Sequence, residues 1–197
     1  MCGNTSDIYG DHAISACAFQ GDQTRHHNSL RDALISQAQS AMLAPTKEER
    51  HLLDDSSHPG DITIRHWHRC KGCLTAFDVT VTSPLRKDLL KKSIDEPCCP
   101  LIKASELKRQ KCCDACIKAG LAFVPLAVAT FGAWDSSTID HIRDFACFAA
   151  NRAGCDPSLA IKHSFERLSV VLQRSNAGLL INRRSLPNAQ SHIDRVR

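Results

Sequence analysis

Two short segments decide the fold predicted for this chain: Pro59-Gly60-Asp61-Ile62-Thr63-Ile64 and Asp78-Val79-Thr80-Val81-Thr82. Each places an aspartate next to a run of β-branched residues, which is a composition typical of strands. If the two strands are neighbours, the carboxylates of Asp61 and Asp78 lie close enough to share a divalent metal ion. Carboxylate oxygens are the ligands that Mg²⁺ and Mn²⁺ prefer. The two segments therefore predict a strand pair that carries a candidate metal site.

Hydrophobic periodicity places helices and a third strand around this pair. Helices are predicted over 28–43, from Arg86 onward, over 104–119, over 137–151 and over 161–179. The apolar run 121–131 predicts a buried strand, although it contains Pro125. The segment 1–24 shows no sustained period and is predicted to be loop. The order helix, strand, strand, helix, strand (αββαβ), with extra helices at the C-terminal side, predicts an α/β or α+β domain.

Composition describes an ordinary folded chain with locally concentrated basic charge. The 197 residues are 43% hydrophobic and 23% charged, with a net charge of +4. Residues 86–118 contain nine lysines and arginines against five acids, and residues 152–197 contain eight against three. Basic stretches that flank an acidic pair suit phosphate binding around a metal site, although a solvated helix face has the same composition.

The sequence also predicts where the protein works. We expect no secretory signal, because no charged and then apolar N-terminal region is present. The longest apolar run, 120–129, is too short to span a membrane. Eleven cysteines without an export signal indicate reduced thiols and an intracellular protein, nuclear or cytoplasmic.

The acidic segments resemble the PD-(D/E)xK nuclease core, in which two acids bind the metal and a lysine stabilises charge on the phosphate. The lysine of that motif follows the second acid after one residue, and Thr80 occupies this position. We therefore expect a catalytic lysine from the following helix, where the candidates are Lys87, Lys91 and Lys92. A further acidic ligand is expected from Glu48 or Glu49. Alternatively, Asp61 caps a turn and Asp78 lies at a strand edge, with no chemistry attached.

Longer stretches of the chain resemble the region downstream of the reverse transcriptase in site-specific non-LTR retrotransposons. The resemblance runs from about Cys2 to Arg184 and is most specific over Ala76-Phe77-Asp78-Val79-Thr80-Val81-Thr82-Ser83-Pro84-Leu85. It also includes Arg25-His26-His27-Asn28-Ser29-Leu30-Arg31-Asp32, Thr130-Phe131-Gly132-Ala133-Trp134 and Arg167-Leu168-Ser169-Val170-Val171-Leu172-Gln173-Arg174-Ser175-Asn176-Ala177. In those elements the region carries a zinc knuckle followed by a restriction-like endonuclease.

The resemblance implies a domain plan and a set of site residues. It divides the chain into a truncated zinc-knuckle-like segment (1–24), a restriction-like endonuclease core (25–135), a C-terminal helical extension (136–185) and a disordered tail (186–197). Asp61 and Asp78 would bind Mg²⁺ or Mn²⁺, with Lys87 or Lys91 as the catalytic lysine. By the resemblance, Arg25, His27 and Asn28 would lie near the active site or the DNA. Arg31, Lys92 and Arg174 are further candidates for contact with the nucleic acid. For Arg174 the alternative is a helix that covers the core and has a solvated basic face. The partners would be DNA and the RNA of the retroelement.

Zinc has separate candidate ligands. By the same resemblance, Cys2, His12 and Cys17 correspond to the last three ligands of a CCHC knuckle, whereas structural zinc takes four. Two other clusters have ligand-like spacing, and for both the alternative is chance: His66, His68, Cys70 and Cys73, and the group Cys112, Cys113 and Cys116.

The predicted activity is metal-dependent nicking of DNA. Thr80 and Ala129 stand where the related enzymes carry a lysine and often an acid. The first alternative is therefore an inactive nucleic-acid-binding protein of the same fold. The second is a small zinc-binding interaction module built on residues 66–73.

Overall fold

The computed structural model of the chain describes residues 20–54, 57–86 and 88–181. Within these ranges it has five α-helices and a four-stranded mixed sheet, which confirms the prediction of an α/β fold. In chain order the elements are α1 (Gln20–Ser40), β1 (Thr46–Lys47), β2 (Ile62–Trp67), β3 (Cys73–Thr82), α2 (Leu90–Asp95), α3 (Cys99–Lys118), β4 (Ala122–Ala129), α4 (Ser136–Ala153) and α5 (Pro157–Ile181). A 3₁₀ turn, His68–Cys70, joins β2 to β3.

The sheet has the order β1-β2-β3-β4. The first three strands pair antiparallel, whereas β4 lies parallel to β3 after a crossover through α2 and α3. In the β2–β3 ladder Ile62 pairs with Phe77, and in the β3–β4 ladder Asp78 pairs with Pro125. The predicted strand pair is therefore present, with Asp61 and Asp78 at the next positions beyond the Ile62–Phe77 pair.

Helices cover both faces of the sheet. Phe77, Val79, Leu126 and Val128 join one cluster with buried residues of α1, α4 and α5. Ala127 and Ala129 point the other way and contact Leu101 of α3, because side chains alternate along a strand. Asp78 pairs with Pro125, and Pro125 and Ala127 are two residues apart, so all three side chains point to the same side of the sheet. The side chain of Asp78 therefore faces α3.

Pro125 fits within β4 because the strand lies at the edge of the sheet. The Ala127 N–H bonds to Thr138 Oγ1 at 3.0 Å, and the Ala127 carbonyl accepts the Asp135 N–H at 3.1 Å, so both groups point away from β3. Backbone direction repeats every two residues, so the proline nitrogen at 125 also faces away from β3. No bond of the β3–β4 ladder is lost.

Several predicted boundaries are wrong. The helix predicted from 28 begins at Gln20, so residues 20–24 are not loop. The helix predicted from Arg86 is only α2. The sequence predicts a break at Pro97 and Pro100, and Pro97 does lie between α2 and α3, whereas Pro100 lies in the first turn of α3, which begins at Cys99 instead of 104. A proline in the first helical turn removes no needed hydrogen bond. The remainder of 1–24, with Cys2, His12 and Cys17, lies outside the described residues, as does the predicted tail.

None of the helices in the described ranges has both the length and the apolar composition needed to cross a membrane.

Trp67 lies at the centre of the larger core cluster. Its ring packs edge-on against Phe77, and its Nε1–H donates a hydrogen bond of 3.2 Å to His141 Nδ1. Burial, assisted by the charge of Arg69, lowers the pKa of His141 to about 4. His141 is therefore a neutral hydrogen-bond acceptor inside the fold.

We predict that His141 makes the fold sensitive to mild acid. Its pKa is lower in the folded chain than in the unfolded chain, so its contribution is complete above about pH 6.5 and is lost as pH falls toward 4. From pH 7 to pH 5 this loss should be about 2 kcal/mol of unfolding free energy. His141→Asn, which keeps an acceptor but does not titrate, should lose correspondingly less in urea unfolding at the two pH values. Equal losses in both proteins would refute this role.

Gly60 allows the chain to approach β3 closely. A Cβ at this position would lie 2.7 Å from the carbonyl oxygen of Phe77, which is a backbone atom and cannot turn aside. We predict that Gly60→Ala lowers the unfolding free energy by roughly 1–3 kcal/mol through this overpacking. The matched control is Gly178→Ala, where a Cβ meets no described atom and the helix gains up to about 1 kcal/mol. Urea denaturation of the two variants measures both effects, and a neutral Gly60→Ala would contradict the close approach.

Candidate active site

Asp61 is fixed at the point where β2 begins. Its backbone N–H donates to the Phe77 carbonyl at 2.8 Å, and its carboxylate Oδ2 accepts the Val79 N–H at 2.6 Å. The side chain thus occupies a position on β3 where a neighbouring strand would otherwise pair. Asp61 is 4% exposed, and a buried carboxylate requires such partners because it has lost its water.

His27 reaches the same carboxylate from α1. Its Nε2 lies 3.0 Å from Asp61 Oδ1, so the two oxygens of Asp61 have different partners. The apolar residues Leu30, Ala33 and Leu34 seat α1 on the core one turn further along. Packing of this helix therefore determines where the imidazole lies.

Asp78 is paired with a lysine from the opposite face of the sheet. Lys108, on α3, places its Nζ 2.6 Å from Asp78 Oδ2. The Asp78 side chain is buried, whereas that of Lys108 is about one-third exposed. The acid pair therefore lies between a histidine from α1 and a lysine from α3.

The pKa values of the two aspartates are shifted in opposite directions. Burial opposes the charge of Asp61, but the hydrogen bond and charge of His27 and the Val79 N–H outweigh it, so the pKa of Asp61 is lowered. For Asp78, burial and the neighbouring Asp61 outweigh Lys108, so its pKa is raised. Burial also opposes the charge of Lys108, but the contact with Asp78 outweighs it and raises the pKa of the ammonium. Asp61 is the firmly ionised member of the pair.

Two of the three lysines predicted for this role lie on a different helix from Lys108. Lys91 and Lys92 are exposed on α2, and Lys87 is outside the described residues. The spacing of residues in α3 could have indicated Lys108, because Lys108 lies on the same side of the helix as residues that face inward. This side of α3 carries, at spacings of three and four, Leu101, Ser105, Lys108, Cys112 and Cys116.

The acids considered as additional ligands have other partners. Glu48 pairs with Arg31, and Glu49 accepts hydrogen bonds from Thr63 and Arg65. Arg31 is only 2% exposed and also contacts Asp32. Its guanidinium therefore joins α1 to the loop before β2, and it presents almost no surface to a nucleic acid.

Other residues predicted at the nucleic acid lie on three helices. Arg25 and Arg174 line one groove between α1 and α5. Asn28 is half-buried on α1, and Lys92 is exposed on α2. The first two come together although they are far apart in the chain.

The internal cysteine and histidine clusters do not form a metal centre in the described part of the chain. No three His, Cys, Asp or Glu side chains within those ranges are arranged to hold an ion. His68 contacts Asp144 instead, Cys73 is exposed, and Cys70 packs partly against the core. Cys116 is fully buried, and burial raises its pKa to about 11. These thiols are therefore not poised as zinc ligands.

The acid pair itself fits a hard divalent cation. Mg²⁺ is usually held by one or two carboxylates, and water and substrate phosphate oxygens complete its shell. Asp61 and Asp78 supply two such carboxylates on adjacent strands. Asp78 would have to lose any bound proton, and Lys108 would have to yield an oxygen. Mn²⁺ has the same preference for oxygen ligands.

Comparison with known proteins leaves the family open, because no family model and no curated protein matches the chain.

We predict that the two aspartates affect stability in opposite directions. Asp78→Asn removes a carboxylate that is ionised at a cost, and Lys108 can turn toward solvent, so the melting temperature should rise. Asp61→Asn weakens the hydrogen bonds to His27 and Val79, so the melting temperature of this variant should fall. Each effect should be roughly 1 kcal/mol, or about 2–4 °C for a chain of this size. The exposed Asp114→Asn is the control, and a decrease for both site variants would contradict the assignment.

Proposed function

We propose that the chain is a restriction-like endonuclease domain derived from a retroelement, which nicks DNA with the help of Mg²⁺ or Mn²⁺. One observation carries the proposal: Asp61 and Asp78 lie buried on adjacent strands with Lys108 and His27 in contact with them. Two carboxylates and a cation in contact match the PD-(D/E)xK set of groups. The lysine comes from α3 instead of the position of Thr80.

The order of the elements also supports the proposal. A helix, two antiparallel strands, a helix and a strand parallel to the second follow one another as α1, β2, β3, α3 and β4. The short β1 and α2 are additions to the predicted αββαβ order. A domain of this kind works on DNA in the nucleus, and the RNA of the element is its second expected partner.

The residues of the chain have distinct roles in this scheme. A bound divalent ion supplies Lewis acidity at the scissile phosphate. Asp61, held by His27 and the Val79 N–H, provides a carboxylate of fixed orientation. Asp78 provides the second carboxylate. Lys108 brings a positive charge to the place where negative charge develops on the phosphate. His27 acts through Asp61 and is a positioning residue.

A second candidate function is nucleic-acid binding without turnover. Three observations favour it: Lys108 already contacts Asp78, Glu48 and Glu49 are bonded elsewhere, and no third acid joins the pair within the described ranges. A protein of this kind would keep the basic surface and lose cleavage.

We predict nicking of supercoiled plasmid by the purified chain with Mg²⁺ or Mn²⁺ and none with a chelator. Asp78→Asn and Lys108→Ala should each lower the rate by about 10²–10³-fold, because each removes charge from the reacting centre. Lys91→Ala is the matched control, since it removes an exposed lysine from α2 and should leave the rate unchanged.

The outcomes separate the two functions. If no metal supports nicking while the wild-type protein and Asp78→Asn bind DNA equally, the chain is the non-catalytic binder. If Lys91→Ala abolishes nicking and Lys108→Ala does not, the lysine has been assigned to the wrong helix.

A further inference from the structure

A groove of about 230 Å³ lies between α1 and α5. Arg25, His26 and Ser29 line it from α1, and Arg174, Ser175 and Gly178 line it from α5. A water molecule occupies about 30 Å³ in the liquid, so the groove has room for a phosphate group and several waters.

The charge of the groove is entirely basic. Both arginines are exposed, and no Asp or Glu is among the lining residues. Elsewhere Arg31, Arg65 and Arg69 are each paired with a carboxylate. Within the described ranges Arg25 and Arg174 have no such partner, so their guanidinium groups are available to an anion. Guanidinium groups bind phosphate oxygens well because they present several donors in a plane.

A buried polar group in the same groove also lacks a partner. His26 is 6% exposed, and its Nε2 has no hydrogen-bond partner in the described part of the chain. Such an atom costs free energy in a folded protein unless something bonds to it. Beside two free arginines, the fitting ligand is an oxygen anion.

The position of the groove relates it to the acid pair. His26 immediately precedes His27, whose imidazole bonds to Asp61. The groove and the acid pair are therefore contacted from the same turn of α1. We infer that the groove between α1 and α5 binds a backbone phosphate of a nucleic-acid strand and anchors that strand beside the acid pair. The identity of the ligand as nucleic acid rests on the proposed function, whereas the preference for a phosphate rests on the groove itself.

Binding without cleavage tests the inference. The probe is a fluorescein-labelled DNA duplex, and the protein carries Asp78→Asn with a chelator present. Adding Arg25→Ala and Arg174→Ala should weaken binding about 10–100-fold at moderate salt. It should also reduce the slope of log affinity against log salt by about 1, since the groove holds one phosphate and each lost phosphate contact removes about 0.9. Arg152→Ala, which removes an exposed arginine at the end of α4, provides a matched control.

Gly178 offers a second variant that leaves both arginines in place. A Cβ there meets no described atom, so Gly178→Leu would project into the groove without disturbing α5. It should weaken DNA binding as the double arginine variant does, and inorganic phosphate should compete with DNA in the parent but much less in this variant.

Three outcomes would overturn the inference. In the first, the double arginine variant binds DNA with unchanged affinity and salt slope. In the second, Arg152→Ala is as damaging as the groove variants. In the third, Gly178→Leu lowers the melting temperature and leaves DNA binding intact, which would show that the chain itself fills the groove. If binding depends on the groove but the wild-type protein never nicks DNA, the anchor is supported and the proposed catalysis fails.

Discussion

The hydrogen bond from the Val79 N–H to the carboxylate of Asp61 is the interaction on which the site depends. It lies where the β2–β3 ladder ends, and it replaces the next bond between backbones with a bond to a side chain. The bond needs Gly60, because only a residue without a side chain lets the backbone lie so close to Phe77. The loop is also held by Cys116, whose Sγ lies 4.0 Å from the Pro59 carbonyl. The start of β2 is thus fixed from several directions, and the acid is fixed with it.

Two aspartates of the same intrinsic acidity differ here because their surroundings differ. Asp61 accepts bonds from a histidine and a backbone amide, whereas Asp78 is buried beside a like charge and has only Lys108 to offset it. Adjacent carboxylates with divergent pKa values are common at sites that bind a metal or transfer a proton. The carboxylate with the lower pKa stays ionised, and the one with the higher pKa can take up or release a proton. Structural ion-pair networks shift pKa values as well. The combination with a lysine from a separate helix is what favours chemistry here.

Helix packing extends the site beyond the sheet. On α1, Arg25 and His26 line the groove with α5, and the next residue, His27, contacts Asp61 at the start of β2. Neighbouring residues of one helix therefore contribute to the groove and to the acid pair. α5 contacts α1 along much of its length, and Leu168 and Leu172 lie in the shared core. The apolar packing of two helices thus sets the distance between the arginines and the acids.

Local pattern was enough to predict β2, β3, β4, the long helices and the adjacency of Asp61 and Asp78, whereas β1 was not predicted. Alternation of β-branched residues and helical spacing of apolar residues can both be recognised in the sequence. Strands that follow one another and are joined by a short turn usually pair. The break predicted at Pro97 and Pro100 is present, but α3 begins one residue before Pro100 because a proline in the first helical turn is tolerated. Helical spacing could place Lys108 on the inward side of α3, but it could not show which acid Lys108 meets. Lys108 lies thirty residues after Asp78, and Arg174 lies far from Arg25 in sequence.

The sequence by itself therefore determined that two acids lie on adjacent strands within an α/β sheet. Only the tertiary structure decided that Lys108 and His27 contact them, that Arg31 and the glutamates are bonded elsewhere, and that two distant arginines share a groove. The physical reason is that strand periodicity fixes which face a side chain takes, whereas helix packing and chain crossover determine which distant side chain meets it there.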